Sequence, residues 1–335
     1  MPVERLDCSH EVSQRRPVSR TRAQWLAGDI RDADWRVELT PSALAEIDQL
    51  AAYIDANPVE LMQRRVADVD IPHCRDATGQ LLGIISNGVG FAVLDRLPVD
   101  RYSLQSMIEI YWLLGQLIGR PVAQKYIGQM IYHVHDSGKA FQYGVRGSHT
   151  NIELNFHTDN AFGRMVPDSV GLFCHRAAKS GGISRFCSLY TVHERIAQVS
   201  SVALDRLYQP MLFDRQKEHG AADAPVTWEP FFSWRGDKLY ARANPSLVRK
   251  GYEVAGETVD DQLLEALNIV DAVSSEPDLW FESALEPGQI QYLNNHEIGH
   301  YRSEFEDYEV ADQKRSLYRL WHRNEGATSY HGELG

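Results

Sequence analysis

The chain of 335 residues carries 34 basic against 46 acidic side chains, a formal charge of −12. That balance disfavours a general binder of nucleic acid or anionic membrane, while leaving room for a local basic pocket. With 43 % hydrophobic and 10 % aromatic residues the chain can bury a sizeable core, which excludes global disorder.

The cysteines Cys8, Cys74, Cys174 and Cys187 are scattered and form no C-x-x-C pair. They suit a reducing compartment better than a disulfide framework or a zinc ribbon. Met1-Pro2-Val3-Glu4-Arg5 lacks an apolar leader, and Ile110 to Ile118 is far short of the ~20 residues of a membrane span. The expectation is a cytoplasmic enzyme acting on a small molecule, with a homo-oligomer left open.

In chain order, residues 1–22 are polar and carry Arg15, Arg16, Arg20 and Arg22 around Pro17, as a flexible N-terminal arm would. A helical extension is expected over 23–80. Within it Thr40-Pro41 supplies an N-cap and a first-turn proline, and Leu44, Ile47, Ala51 and Ile54 follow at helical spacing. A second helix is expected from Ser103 to Ile118, closed by Gly119-Arg120-Pro121. Strands are expected at Leu81–Ile85, Gly90–Leu94, Gln129–Val134, Ser169–His175, Lys238–Ala241 and Ile290–Leu293. A helix is expected over 256–272, with Leu263, Leu264, Leu267 and Ile269 as its apolar positions. No linker divides the chain, so 23–335 reads as one β-rich domain flanked by helices.

The segment richest in chemistry is Asn155-Phe156-His157-Thr158-Asp159-Asn160-Ala161-Phe162. In a strand or at its edge, residues two apart share a face. A neutral imidazole and a carboxylate there make two-thirds of the facial triad of non-haem iron(II), which needs one more histidine and leaves open positions. Candidates for the third ligand are His296 and His300, where a strand from Ile290 runs into a polar turn. Arg315 and Arg319 follow in an alternating segment, and an arginine at such a mouth suits a carboxylate. His133-Val134-His135-Asp136 also has metal-like spacing, yet nothing completes a ligand set, so structural histidines are expected. No nucleophile elbow or P-loop is present, and Gly88-Val89-Gly90 lacks the third glycine of a dinucleotide loop. Cys174 and Cys187 read as core thiols. Trp112, Trp280 and Trp321 read as core or lining residues.

Together, His157-Thr158-Asp159, Ser180-Gly181-Gly182, Asn295 five before His300, and the pair Arg315 and Arg319 resemble the taurine dioxygenase/TfdA-like (TauD/TfdA) branch of iron(II)- and 2-oxoglutarate-dependent oxygenases. The resemblance spans roughly residues 85 to 325. It implies a mainly β double-stranded β-helix (jelly-roll) with flanking helices. It implies His157, Asp159 and His300 as iron ligands, Arg315 and Ser184 as holders of the far carboxylate of 2-oxoglutarate, and Arg319 as a contact to an anionic substrate. Glu153, Asn160 and Phe162 would line the substrate's side of the pocket. Serine at 184 stands where threonine is usual and keeps the hydroxyl, and Asp159 argues against a halogenating variant.

The implied activity uses Fe(II), 2-oxoglutarate and O2 to hydroxylate an unactivated C–H bond of a small, anionic amino acid or specialised-metabolism intermediate, releasing succinate and CO2. Desaturation and cyclisation are chemically close. The residues alone also admit a non-redox cupin-type metal enzyme, or a catalytically silent metal and metabolite binder.

Overall fold

Helix formation begins where the sequence places its caps. Thr40 accepts the Ala43 amide at α1 (Pro41–Ala56), and Ser103 accepts the Ser106 amide at α3 (Leu104–Ile118). Between them lies α2 (Pro72–Asn87). Residues 81–85, expected as a strand, belong to this helix. The buried Cys74, Ala77, Thr78, Leu81 and Ile85 recur every three or four positions, and the short apolar run is only one turn of that stripe. The computed structural model describes residues 2–5, 11, 13–16, 18, 22–138 and 147–332, so Cys8, Pro17 and Arg20 lie outside the described residues.

Eleven strands of the described residues build the two sheets that matter for the site. They are β1 (Arg36–Glu38), β2 (Phe91–Asp95), β3 (Arg120–Val122), β4 (Tyr132–Val134), β5 (Leu154–His157), β6 (Ser169–Arg176), β7 (Ser184–Ser188), β8 (Trp280–Ser283), β9 (Ile290–Asn294), β10 (Ile298–Arg302) and β11 (Ser316–Arg323). The larger sheet runs β1-β2-β9-β6-β11-β3, with β4 also on β11; the smaller runs β8-β7-β10-β5. Sequence-distant strands meet in both, as the expected jelly-roll requires.

Strand alternation divides the larger sheet between two cores. Ala92, Leu94, Phe173, Ile290, Tyr292 and Leu320 pack outward under α1, α2 and α3. Phe91, Val93, Cys174, Leu293, Leu317 and Trp321 face inward toward Phe186, Cys187 and Ile298 of the smaller sheet. The site lies on this inner side.

Beyond the sheets, α4 (Leu189–Val199), α5 (Ser201–Leu207), α6 (Pro245–Ala255) and α7 (Asp261–Ser274) complete the helical flank. The helix expected over 256–272 begins only at Asp261, and residue 256 ends the helix before it. Gly256, at φ +70°, ends α6, and Asp260 caps α7 by accepting the Leu263 amide. Within the expected flexible arm, Val3–Arg5 pairs in parallel with Val226–Trp228, and Glu11 accepts from Ser233 and Arg235, while residues 13–16 are exposed.

Candidate active site

A cavity of about 700 Å³ opens between the sheets, bordered by Glu153, His157, Asp159, Asn160, Phe162, Ser184, His300, Arg315 and Arg319 but not by His296. Its floor follows from register. His300 on β10 lies directly opposite His157 on β5, so both side chains leave the same face and their rings sit 4.2 Å apart between centroids. Asp159 follows on the turn beyond β5. Its Oδ1 is 3.6 Å from Nε2 of His157 and 3.6 Å from Nε2 of His300. His157 Nδ1 donates to the Asn155 carbonyl at 2.7 Å, which orients the ring so that Nε2 faces the cluster.

The second oxygen of Asp159 is taken from behind. Oδ2 accepts from Trp321 Nε1 at 2.8 Å and pairs with Arg319 Nη1 at 2.9 Å. Burial pushes this carboxyl up, but Arg319 and the two imidazoles outweigh it and hold it well below the usual carboxylate range. Burial, with His157 beside it, pushes His300 down to about 4 despite Asp159, which leaves a neutral imidazole at pH 7. The backbone beneath Asp159 is fixed by the fully buried Asn295. Its Oδ1 accepts the Asp159 amide at 2.7 Å, and its Nδ2 donates to the carbonyls of Asp159 (2.9 Å) and Pro167 (3.1 Å).

These three donor atoms all lie within 4.8 Å of one another. Two imidazole nitrogens and one oriented carboxylate oxygen match the ligand set of a non-haem iron(II) site. His296, the alternative third ligand, lies outside the cluster. Its Nε2 bonds Asp168 Oδ1 at 2.9 Å and its ring stacks on Tyr240 at 3.9 Å. His133 and His135 stack on each other at 4.1 Å and complete no metal-binding group among the described residues, as expected of structural histidines.

Further along the cavity stand Ser184, Arg302 and Arg315. Gly181 and Gly182, at φ +71° and +67°, turn the chain into β7. A Cβ on Gly182 would lie 3.2 Å from Arg315 Nε, so glycine there serves both the left-handed backbone and the space of the guanidinium. Arg315 is buried with Nη1 unpartnered, and burial pushes it down to about 10. Behind it lies a second cavity of about 270 Å³, lined by Cys174, Gly181 and Gly182 among others.

The substrate side is less uniform. Phe162 is buried at the cavity wall, and Glu153 accepts a hydrogen bond from Tyr301. Asn160 has a positive φ of 54° and accepts from Tyr330 at 2.9 Å, so part of its amide is already committed. Arg319 donates to Gln124 Oε1 at 2.8 Å as well as to Asp159, leaving only Nη2 without a partner. Three contributors were not assigned from the sequence: Gln124, Arg302, and Trp321 in its role behind Asp159. Arg302, two positions after His300 on one strand face, had a spacing signal that the nearby histidines masked. Cys174 and Cys187 are buried and pushed up to about 12 by burial, inert core thiols as expected.

A family model described as "Taurine catabolism dioxygenase TauD, TfdA family" matches residues 47–321. FR-33289 synthase of Streptomyces rubellomurinus (strain ATCC 31215) is 24 % identical over 318 residues, 92 % of this chain and 90 % of that protein. The taurine hydroxylase-like protein SAT17 of Stachybotrys chartarum (strain CBS 109288 / IBT 7711) is 26 % identical over 244 residues, 69 % of this chain and 60 % of that protein. Among solved structures, asparagine oxygenase with Fe(II), hydroxyasparagine and succinate superposes at TM-score 0.65 and 20 % identity, covering 88 % of this chain and 98 % of that one. The non-haem iron oxygenase OrfP with Fe and alpha-ketoglutaric acid gives TM-score 0.65 at 14 % identity, with 87 % and 94 % covered.

Proposed function

The chain belongs to the TauD, TfdA family and is an iron(II)- and 2-oxoglutarate-dependent dioxygenase, and on that premise we propose which of its residues do what. His157, Asp159 and His300 hold the iron. Arg315 and Ser184 seat the far carboxylate of 2-oxoglutarate. The substrate is a small, anionic amino acid or specialised-metabolism intermediate, hydroxylated at a C–H bond held over the metal. Residues 23–335 form the single catalytic domain. The observation that carries this reading is the convergence of two imidazole nitrogens and one carboxylate oxygen on the cavity floor.

When bound, iron(II) with 2-oxoglutarate and O2 supplies the oxidising power, and 2-oxoglutarate ends as succinate and CO2. The chain's own part is binding, orientation and exclusion of water. Arg319 keeps Asp159 ionised, and together with Trp321 it holds Oδ2 so that Oδ1 faces the histidines. Arg315 compensates a carboxylate that would otherwise be buried unpaired, at a prohibitive desolvation cost. Arg319 Nη2 contacts the substrate's anionic group, and Glu153, Asn160 and Phe162 shape the wall beside it. Amino-acid substrates are supported by relatives whose structures hold hydroxyasparagine or arginine. Cytoplasmic residence is supported by three buried free thiols, Cys74, Cys174 and Cys187. Among the described residues no helix is long and apolar enough to cross a membrane.

The test is anaerobic. Purified apoprotein mixed with ferrous iron and 2-oxoglutarate should show the visible metal-to-ligand charge-transfer band of the chelate. The band should vanish in His157→Ala and need far more 2-oxoglutarate in Arg315→Ala. Its absence from folded, iron-loaded wild type would overturn the assignment.

A further inference from the structure

Arg302 sits two positions beyond His300 on β10 and opposite Ser184 in the ladder to β7. It is 7 % exposed and borders the catalytic cavity. Its Nη2 donates to the carbonyls of Thr150 and Ile152, which tie down the segment leading into β5. Its Nε and Nη1 are buried without a hydrogen-bond partner.

The guanidinium carbons of Arg302 and Arg315 each lie 4.9 Å from the centroid of the Phe305 ring, so two cations border one aromatic side chain. Neither forms an ion pair with a carboxylate among the described residues. Asp307 accepts from the backbone amide of Arg315, and its charge reaches the Arg315 side chain without a hydrogen bond to it. A chain with net charge −12 has placed two cations around one buried ring, neither in an ion pair with a carboxylate among the described residues. Such an arrangement is costly until an anion enters it.

Resting on the proposed binding of 2-oxoglutarate, we propose that Arg302 is a second anchor for the far carboxylate, completing a two-arginine seat with Arg315 and Ser184. Arg302 thereby selects dicarboxylate over monocarboxylate 2-oxo acids. The competing role, holding residues 150–152 through their carbonyls and nothing more, would not depend on which 2-oxo acid is bound.

The experiment is an anaerobic titration of the iron(II)-loaded protein, read by the charge-transfer band. The ligands are 2-oxoglutarate and 2-oxopentanoate, which has the same chain length without the far carboxylate. Arg302→Met should weaken 2-oxoglutarate by about tenfold or more, the scale of a lost charge-assisted interaction, while leaving 2-oxopentanoate within about twofold. Arg302→Lys, which keeps the charge, should retain most of the preference. Arg302→Gln keeps donors for the two carbonyls and takes the place of Arg302→Met where the latter does not fold. Equal weakening of both ligands, or no weakening of either, overturns the anchor. A wild type that forms no band with either ligand overturns the underlying reading instead.

Discussion

Asp159 shows how a single carboxylate is given one task. Its Oδ2 is occupied by an indole N–H and a guanidinium, which leaves Oδ1 as the oxygen offered between the histidines. Supports of this kind tune a metal site through orientation and basicity, and their removal typically costs 10–100-fold in metal affinity. Trp321→Phe keeps the aromatic bulk and deletes the donor. It should weaken ferrous iron by roughly tenfold in a competition titration against a chelator, and an unchanged affinity would show that Arg319 alone orients the carboxylate. Asn295 acts one step further back. Asn295→Ala strips three hydrogen bonds from wholly buried backbone, and chemical denaturation should report a loss of about 2–4 kcal/mol. These two residues differ in legibility. Asn295 stood at a telling offset from His300, whereas nothing local to Trp321 distinguishes an indole that bonds a ligand from one that fills a core.

Elements bring these side chains together, and the site's precision rests on strand register. The His157–His300 pairing and the Arg302–Ser184 pairing belong to the same strand, β10, clamped on both edges. The turn before β7 passes close to Arg315 in a left-handed conformation, which favours glycine. In Gly182→Ala the new Cβ would stand 3.2 Å from Nε in a backbone conformation that costs an L-residue about 1 kcal/mol. Affinity for 2-oxoglutarate should fall severalfold, with iron affinity unaltered; a loss of both would place the damage in the fold rather than in the seat. At this scale the sequence was legible where local signals are strong. Thr40, Ser103 and the stripes behind them marked two helices, and Lys238–Ala241 and Ile290–Leu293 were readable as strands, the latter running one residue further to Asn294. It misled where local signals are ambiguous. Leu81–Ile85 is apolar and short enough for a strand, but its neighbours Cys74, Ala77 and Thr78 continue a helical stripe. Gly256 opens an apolar-periodic stretch, yet its left-handed φ closes the helix before it. The pairing order of the strands, and hence the meeting of 157 with 300, was legible only through family resemblance, because no local signal encodes which distant strands pair.

For the molecule as a whole, burial of histidines links stability to pH. Burial pushes His322 down to about 3 and His133 down to about 4, and it lowers His175, His193 and His296 as well. In the unfolded chain these rings titrate near 6.5. Between that value and the folded one, the unfolded state binds protons that the native state refuses, so the native state loses ground as pH falls. The stabilisation is therefore fully present above about pH 6.5 and is lost progressively below it. Burial raises Glu297 and Asp271, which pull the other way, but with His300 also lowered they are two groups against six. His322 gives the cleanest case: it is 1 % exposed, neither ring nitrogen has a hydrogen-bond partner, and no charged neighbour contributes to its shift. Urea unfolding of metal-free protein should show stability falling from pH 7 to pH 5. His322→Leu, an apolar replacement in an apolar setting, should flatten that slope by one proton, about 1.4 kcal/mol per pH unit below 6. An identical slope in the variant would mean that His322 already binds a proton in the native state, and that the inner packing of β11 against α3 admits the water needed to solvate it.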